Sequence, residues 1–302
     1  MGIKRLTVST PYLLEKIKAT FPEFYIKTGI YAQIDTPRRA RFWFDLGADA
    51  LTLESFSINR DFAILKSIRK AVNCDLHLIA NHPCLPNCPM QSYHQNCFAH
   101  SSDGTKKLFI DYCFLKCTHN RLTYPSNLIK ACWIRPEDIN YYEQIGYTHF
   151  KLLERGIPSS ELLKRIKAYS EGLSSENLAE LILPYGFPES QKKQRLWFLR
   201  YFFKPEQVNP FKLKLFYNIM KQGGMLFPVQ QNNIFINNNR IPGDFIKGFE
   251  NRHCTELECS KCGYCEKIAE DAVYIDRAWQ KQQLKFIAEA ERSLLNGSLW
   301  GA

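Results

Sequence analysis

In the first half of the chain, short apolar runs alternate with longer stretches whose apolar positions recur every three or four residues. The short runs predict strands over 6–9, 24–30, 50–53, 76–80 and 149–152. The longer stretches predict helices over 11–20, 37–46, 61–72, 136–145 and 159–169. Strand–helix alternation with short links argues for parallel strands joined by helical crossovers. Gly47 in DLGAD and Gly146 in QIGYTHF fit helix C-caps leading into the next strand. The expected class is α/β, a TIM-like (β/α) barrel. Five such units are counted, whereas a closed barrel has eight. The barrel is therefore expected to be incomplete at its N-terminus, or to be completed by a partner subunit.

From about residue 171 the pattern changes. Pro184, Gly186 and Pro188 break the chain. A short strand is predicted at Ile234-Phe235-Ile236, a turn at Pro242-Gly243-Asp244 and a closing helix over 270–295. We divide the chain into a partial barrel, 1–170, and an α+β extension, 171–302, carrying a cysteine cluster.

That cluster is the run Cys254-x4-Cys259-x2-Cys262-x2-Cys265. Thiolates at such spacing can face one inorganic centre, an iron–sulfur cluster or a structural zinc. The same spacing makes a poor disulfide framework, because close neighbours rarely reach bridging geometry. A second cysteine-rich stretch, 81–135, directly follows a predicted strand. It holds Cys84, Cys88, Cys97, Cys113, Cys117 and Cys132, with His82, His94, His100 and His119. Barrel chemistry sits on loops at the C-terminal ends of strands, where this stretch begins. Cys84-x3-Cys88 and Cys113-x3-Cys117 make a four-thiolate set suited to a 4Fe–4S cluster, with Cys97 and Cys132 as alternative members. Zinc takes the same ligands.

Charge adds a partner. The chain carries a net +10. Residues 189–221 concentrate Lys192, Lys193, Arg195, Arg200, Lys204, Lys212, Lys214 and Lys221 among eight aromatics. Basic groups attract phosphate and aromatic faces stack on bases, so RNA is a candidate partner. An amphipathic helix with its aromatics in the core is the alternative. There is no apolar run of about 18 residues, so no membrane span is expected. Nothing resembles a signal peptide, and eleven cysteines without one point to a reducing cytoplasm.

In WIRPEDINYYEQIGYTHFKLLERG a helix feeds a strand ending in Lys151 and Arg155. The order of strand, cysteine-rich loop, helix and a G-x3-F-K-x3-R element, here Gly146, Phe150, Lys151 and Arg155, resembles the collagenase-like peptidase family U32. YIKTGIYAQID and DLGADALTLESFSINRD also look like that family's middle barrel strands, with Glu54 at a usually polar position. The resemblance covers roughly 5–170. It implies a 4Fe–4S cluster held by four cysteines, and oxygen-independent hydroxylation of RNA bases or of a quinone precursor. Carried over, Cys84 matches the first family cysteine and Cys88 the second, at a shorter spacing than usual. Cys113 or Cys117 matches the third, and Cys132 the fourth. The tail motif lies outside the family's common core and looks like an addition of a subgroup.

Lys151 and Arg155 could bind a substrate carboxylate or phosphate. His94 and His100 are candidates for proton transfer, because histidine titrates near neutrality. The resulting expectation is an iron–sulfur enzyme carrying out hydroxylation or a related redox modification, RNA above all. One rival is a metal-dependent or cysteine peptidase, although HExxH and G-x-S-x-G are both missing. Another is a zinc-stabilised, non-catalytic binding subunit.

Overall fold

The computed structural model describes residues 2–101, 110–153, 157–184, 197–222, 232–254 and 258–301. Its elements are β1 (Arg5–Val8), α1 (Pro11–Thr20), β2 (Tyr25–Thr28), α2 (Pro37–Asp45), β3 (Ala50–Thr52), α3 (Phe62–Ala71), β4 (Asp75–Ile79), α4 (Gln91–Ser101), α5 (Tyr112–Thr123), α6 (Ser126–Lys130), α7 (Ile139–Gln144), β5 (His149–Lys151) and α8 (Ser159–Glu171). Then come α9 (Ala179–Ile182), α10 (Leu213–Gln222), β6 (Ile234–Ile236), α11 (Cys259–Cys262), α12 (Tyr264–Ala272), β7 (Val273–Ile275) and α13 (Arg277–Leu295).

Strands β1 to β5 form one parallel sheet in sequence order. Alternation sorts its two faces. Val8, Ile26, Leu51, Leu76 and Leu78 are buried and join the core with Leu14, Trp43, Leu65 and Ile68 of the crossover helices. The other face carries Thr7, Lys27, His77, His149 and Lys151, half-buried or exposed. Ala50, Thr52 and Ile79 share this second face and are buried, so it is covered in part. Gly47 and Gly146 take φ of 99° and 88°. Both follow a helix and precede a strand, as the sequence anticipated, and a side chain there would be strained.

Beyond the sheet, β6 and β7 pair antiparallel. The helix expected over 270–295 is two helices, α12 and α13, separated by β7. The β-rich Val273-Tyr274-Ile275 leaves the helix to pair with Ile234–Ile236, and Asp276 caps α13 by accepting from the Trp279 N–H at 2.6 Å. The basic–aromatic stretch is not one helix. Among its described residues, Trp197–Phe203 and Pro210–Lys212 form 3₁₀ turns and only Leu213–Gln222 is α-helical, while Lys192, Lys193 and Arg195 lie outside the described residues. Buried side chains of the extension, among them Phe216, Phe245 and Ile287, form one continuous core with those of the sheet.

Candidate metal centre

The chain leaves β4 through Asn81, His82 and Cys84, and local hydrogen bonds fix this exit. Asn81 Nδ2 donates to the Leu153 carbonyl (3.0 Å) while its Oδ1 accepts the Leu153 N–H (2.6 Å), tying β4 to the end of β5. His82 is buried, with Phe56 edge-on at 4.3 Å. Its Nε2 faces the Ser55 carbonyl at 3.0 Å, and its Nδ1 accepts the Cys84 N–H at 3.3 Å. Burial drives its pKa down to about 3, so it is a neutral strut and not a proton shuttle.

Two groups of thiols lie along this C-terminal rim. In the first, Cys84 is open to solvent yet ringed by protein, as in a recess, and burial pushes its thiol up to about 11. The Arg121 guanidinium opposes that rise, while Cys117 and Cys88 add to it. Cys117 is likewise raised by burial and lowered by Arg121, and it feels Cys88. Cys113 is pushed up to about 11 by burial and by Asp111, and it feels Cys97 and Cys88. Arg121 is buried and donates to the Pro83 carbonyl, next to Cys84.

The second group holds the tail motif. Cys254 and Cys265 are both raised by burial, Cys265 to about 12, and both are opposed by Arg60. They feel each other or Cys259, and Cys254 also feels Cys262. Cys132 falls here. Burial pushes it up to about 12, Arg60 opposes this, and the thiols that add to it are Cys254 and Cys265. Arg60 is 4% exposed. It donates to the Ile129 (2.6 Å) and Trp133 (2.9 Å) carbonyls and lies over the rings of Trp133, Phe245 and Phe249. Between the groups sits buried Glu54, felt by both Cys84 and Cys132. Its carboxylate accepts from Gln91 Nε2 and Ser57 Oγ, each at 2.6 Å.

The donor sets fit an iron–sulfur or zinc centre in kind: several thiols share each neighbourhood, and a fixed positive charge favours their thiolate forms. Among the described residues, no three His, Cys, Asp or Glu side chains already converge to metal-binding distance.

Of the other candidates, His94 pairs with Asp111 (2.8 Å), whose second oxygen caps α5 through the Phe114 N–H at 3.0 Å. It pins α4 to α5. Lys151 is exposed at the end of β5, on the face of the sheet that carries His77 and His149. Arg155 lies outside the described residues, as does the His100 side chain. Sequence reasoning did not single out Arg60, Arg121, Asn81 or a structural His82. The only sequence signal was their position just after strands β3 and β4 or within the cysteine-rich stretch.

Fold and rim define an α/β protein whose parallel sheet presents cysteines beyond its strand ends. No family model matches the chain. An uncharacterized protease of Methanocaldococcus jannaschii is 29% identical over 277 residues, 91% of this chain and 68% of that protein. The solved structure of a U32 peptidase aligns with a TM-score of 0.35 at 21% identity, over 51% of this chain. This chain thus spans 56% of that structure's length. The chain is similar over most of its length to an archaeal protein named a protease. Among the described residues, no helix is long and apolar enough to cross a membrane.

Proposed function

We propose that the chain is an iron–sulfur protein of the U32 type, acting in the cytoplasm in an oxygen-independent hydroxylation or related redox modification. The carrying observation is that each thiol group is seated beside its own buried arginine, Arg121 for Cys84 and Cys117, and Arg60 for Cys254 and Cys265. An anionic, thiolate-ligated cluster calls for such a counter-charge. Cys84, Cys88, Cys113 and Cys117 would hold a 4Fe–4S cluster, and the tail cysteines a second cluster or a zinc. A bound 4Fe–4S cluster would supply one-electron transfer or an open iron for a substrate oxygen. Lys151, on the polar face of what we read as part of a TIM-like barrel, would meet a substrate anion, with a partner subunit or further chain closing that side. On this reading 1–170 carries the chemistry and 171–302 contacts the substrate.

RNA is our preferred substrate class. Phe202, Phe203 and Phe211 are exposed, Phe211 at 97%, close to Arg200, Lys204 and Lys214. Tyr201 and Phe216 of the same stretch are buried, so the basic–aromatic stretch divides into core and surface. Stacking contributes about 1–3 kcal/mol per base. Phe203→Ala and Phe211→Ala should each weaken RNA retention about tenfold, with affinity falling steeply in salt. No retention at low salt would remove RNA from the reading. A peptidase remains the second reading, because the archaeal relative is named a protease.

The deciding measurement is iron, acid-labile sulfide and zinc per chain after anaerobic purification, with Cys84→Ala and Cys262→Ala alongside. About eight irons, falling to about four in each variant, is the expected result for two 4Fe–4S clusters. Zinc without sulfide would leave a structural or hydrolytic protein.

A further inference from the structure

We infer that Cys132 is a ligand of the tail centre, so that one metal site clamps the C-terminal extension onto the rim of the sheet. The inference rests on the proposed reading that the tail thiols bind a thiophilic metal, iron–sulfur or zinc. Family resemblance alone would put Cys132 with Cys84 and Cys88.

The geometry puts it elsewhere. Cys132 is 4% exposed and its Sγ lies 3.7 Å from the Ser57 carbonyl. Its own carbonyl accepts from Asn59 Nδ2 at 2.8 Å, and that amide also holds the Ile79 carbonyl at the end of β4. Its position on the rim is therefore fixed. Both flanks of the tail motif close around it. Lys130, two residues before Cys132, pairs with Glu266, the neighbour of Cys265. Trp133, the next residue, stacks on Phe245 (5.6 Å between centroids), and Phe245 stacks on Tyr264 (6.1 Å). On the other flank His253, next to Cys254, approaches Asp61, next to Arg60, at 3.9 Å. Arg60 spans the junction. Among the described residues its buried Nε–H has no acceptor, which leaves a donor for a metal-bound sulfur.

Five thiols then surround a centre that takes four. Cys132 enters, and one of Cys254, Cys259, Cys262 and Cys265 is dispensable. A ligand set joining segments far apart in sequence stabilises their docking as well as the metal.

The test is metal content, iron and zinc, of full-length protein carrying single Ala substitutions at the five positions. Folding is followed by circular dichroism. Four variants, Cys132→Ala among them, should each lose the tail metal, and one tail variant should keep it. Cys132→Val, which fills the same buried space without a donor, should also lose it, whereas Cys132→His, which keeps a donor, should retain zinc. Full metal in Cys132→Val, with loss in all four tail variants, would overturn the inference and leave the tail centre standing. Unchanged metal content in all five would bring down the tail centre and the inference together.

Discussion

The two thiol groups share one rim but are built differently. The loop group around Arg121 is local: Cys84, Cys88, Cys113 and Cys117 come from one insertion between β4 and β5, and Cys84 opens to solvent. The tail group around Arg60 is a junction. Its arginine follows β3, Cys132 closes the insertion, and the remaining cysteines arrive from the far end of the chain. Arg60 is wedged among three aromatic rings, whereas Arg121 reaches back to the Pro83 carbonyl. The open recess suits a site that meets substrate, and the buried junction suits a site that holds architecture.

The largest expected effect separates the two arginines. Arg60→Leu strands the Ile129 and Trp133 carbonyls, removes the ring contacts and leaves the tail undocked. A loss of about 3–5 kcal/mol is expected, since breaking a buried charged network carries that cost. Arg121→Leu should cost about half as much and be confined to the insertion. Urea unfolding together with limited proteolysis would measure both. Equal losses, or tail release in Arg121→Leu, would erase the distinction.

A smaller effect sharpens it. His82→Ala removes the strut between the Ser55 carbonyl and the Cys84 N–H. About 1–2 kcal/mol should be lost, the usual cost of an orphaned buried group. Metal at the loop thiols should fall while the tail metal holds. Loss from both sites, read as iron and zinc per chain, would show that the rim acts as one unit.

The fold was legible in the sequence where periodicity alone decides structure. All five strands and helices α1, α2, α3 and α8 lie within a residue or two of their predicted bounds, whereas α4, α5 and α6 fall inside the cysteine-rich stretch, for which no helix was expected. The site was legible only by residue type. Spacing marked the cysteines, but grouping them depends on which segments dock. Cys132 shows why: near Cys117 in sequence, it falls with the tail thiols because Asn59, Lys130 and Trp133 anchor that turn against the rim and the tail. No local pattern encodes those partners. The closing helix over 270–295 failed for the same reason, since β7 exists only because β6 is there to pair with it.

The smallest effect provides the control for the others. His77 lies within β4 on the face of the sheet that carries Lys27 and Lys151, with its ring 4.7 Å from that of His149. Burial lowers its pKa to about 4, and the nearby Lys27 adds to this. The folded state therefore keeps His77 neutral at pH values where the unfolded chain would protonate it. Below a pKa of about 6.5 the unfolded state binds the extra proton, so stability should fall as pH drops from about 6.5 toward about 4. After solvent screening, about 1 kcal/mol is expected between pH 7 and pH 5. His77→Gln should flatten that slope in urea titrations without changing metal content at either group. A slope that survives in His77→Gln would assign the acid sensitivity to other groups. Metal loss in His77→Gln would mean that the sheet face and the rim are coupled, and the comparison between recess and junction would then have to include the sheet beneath them.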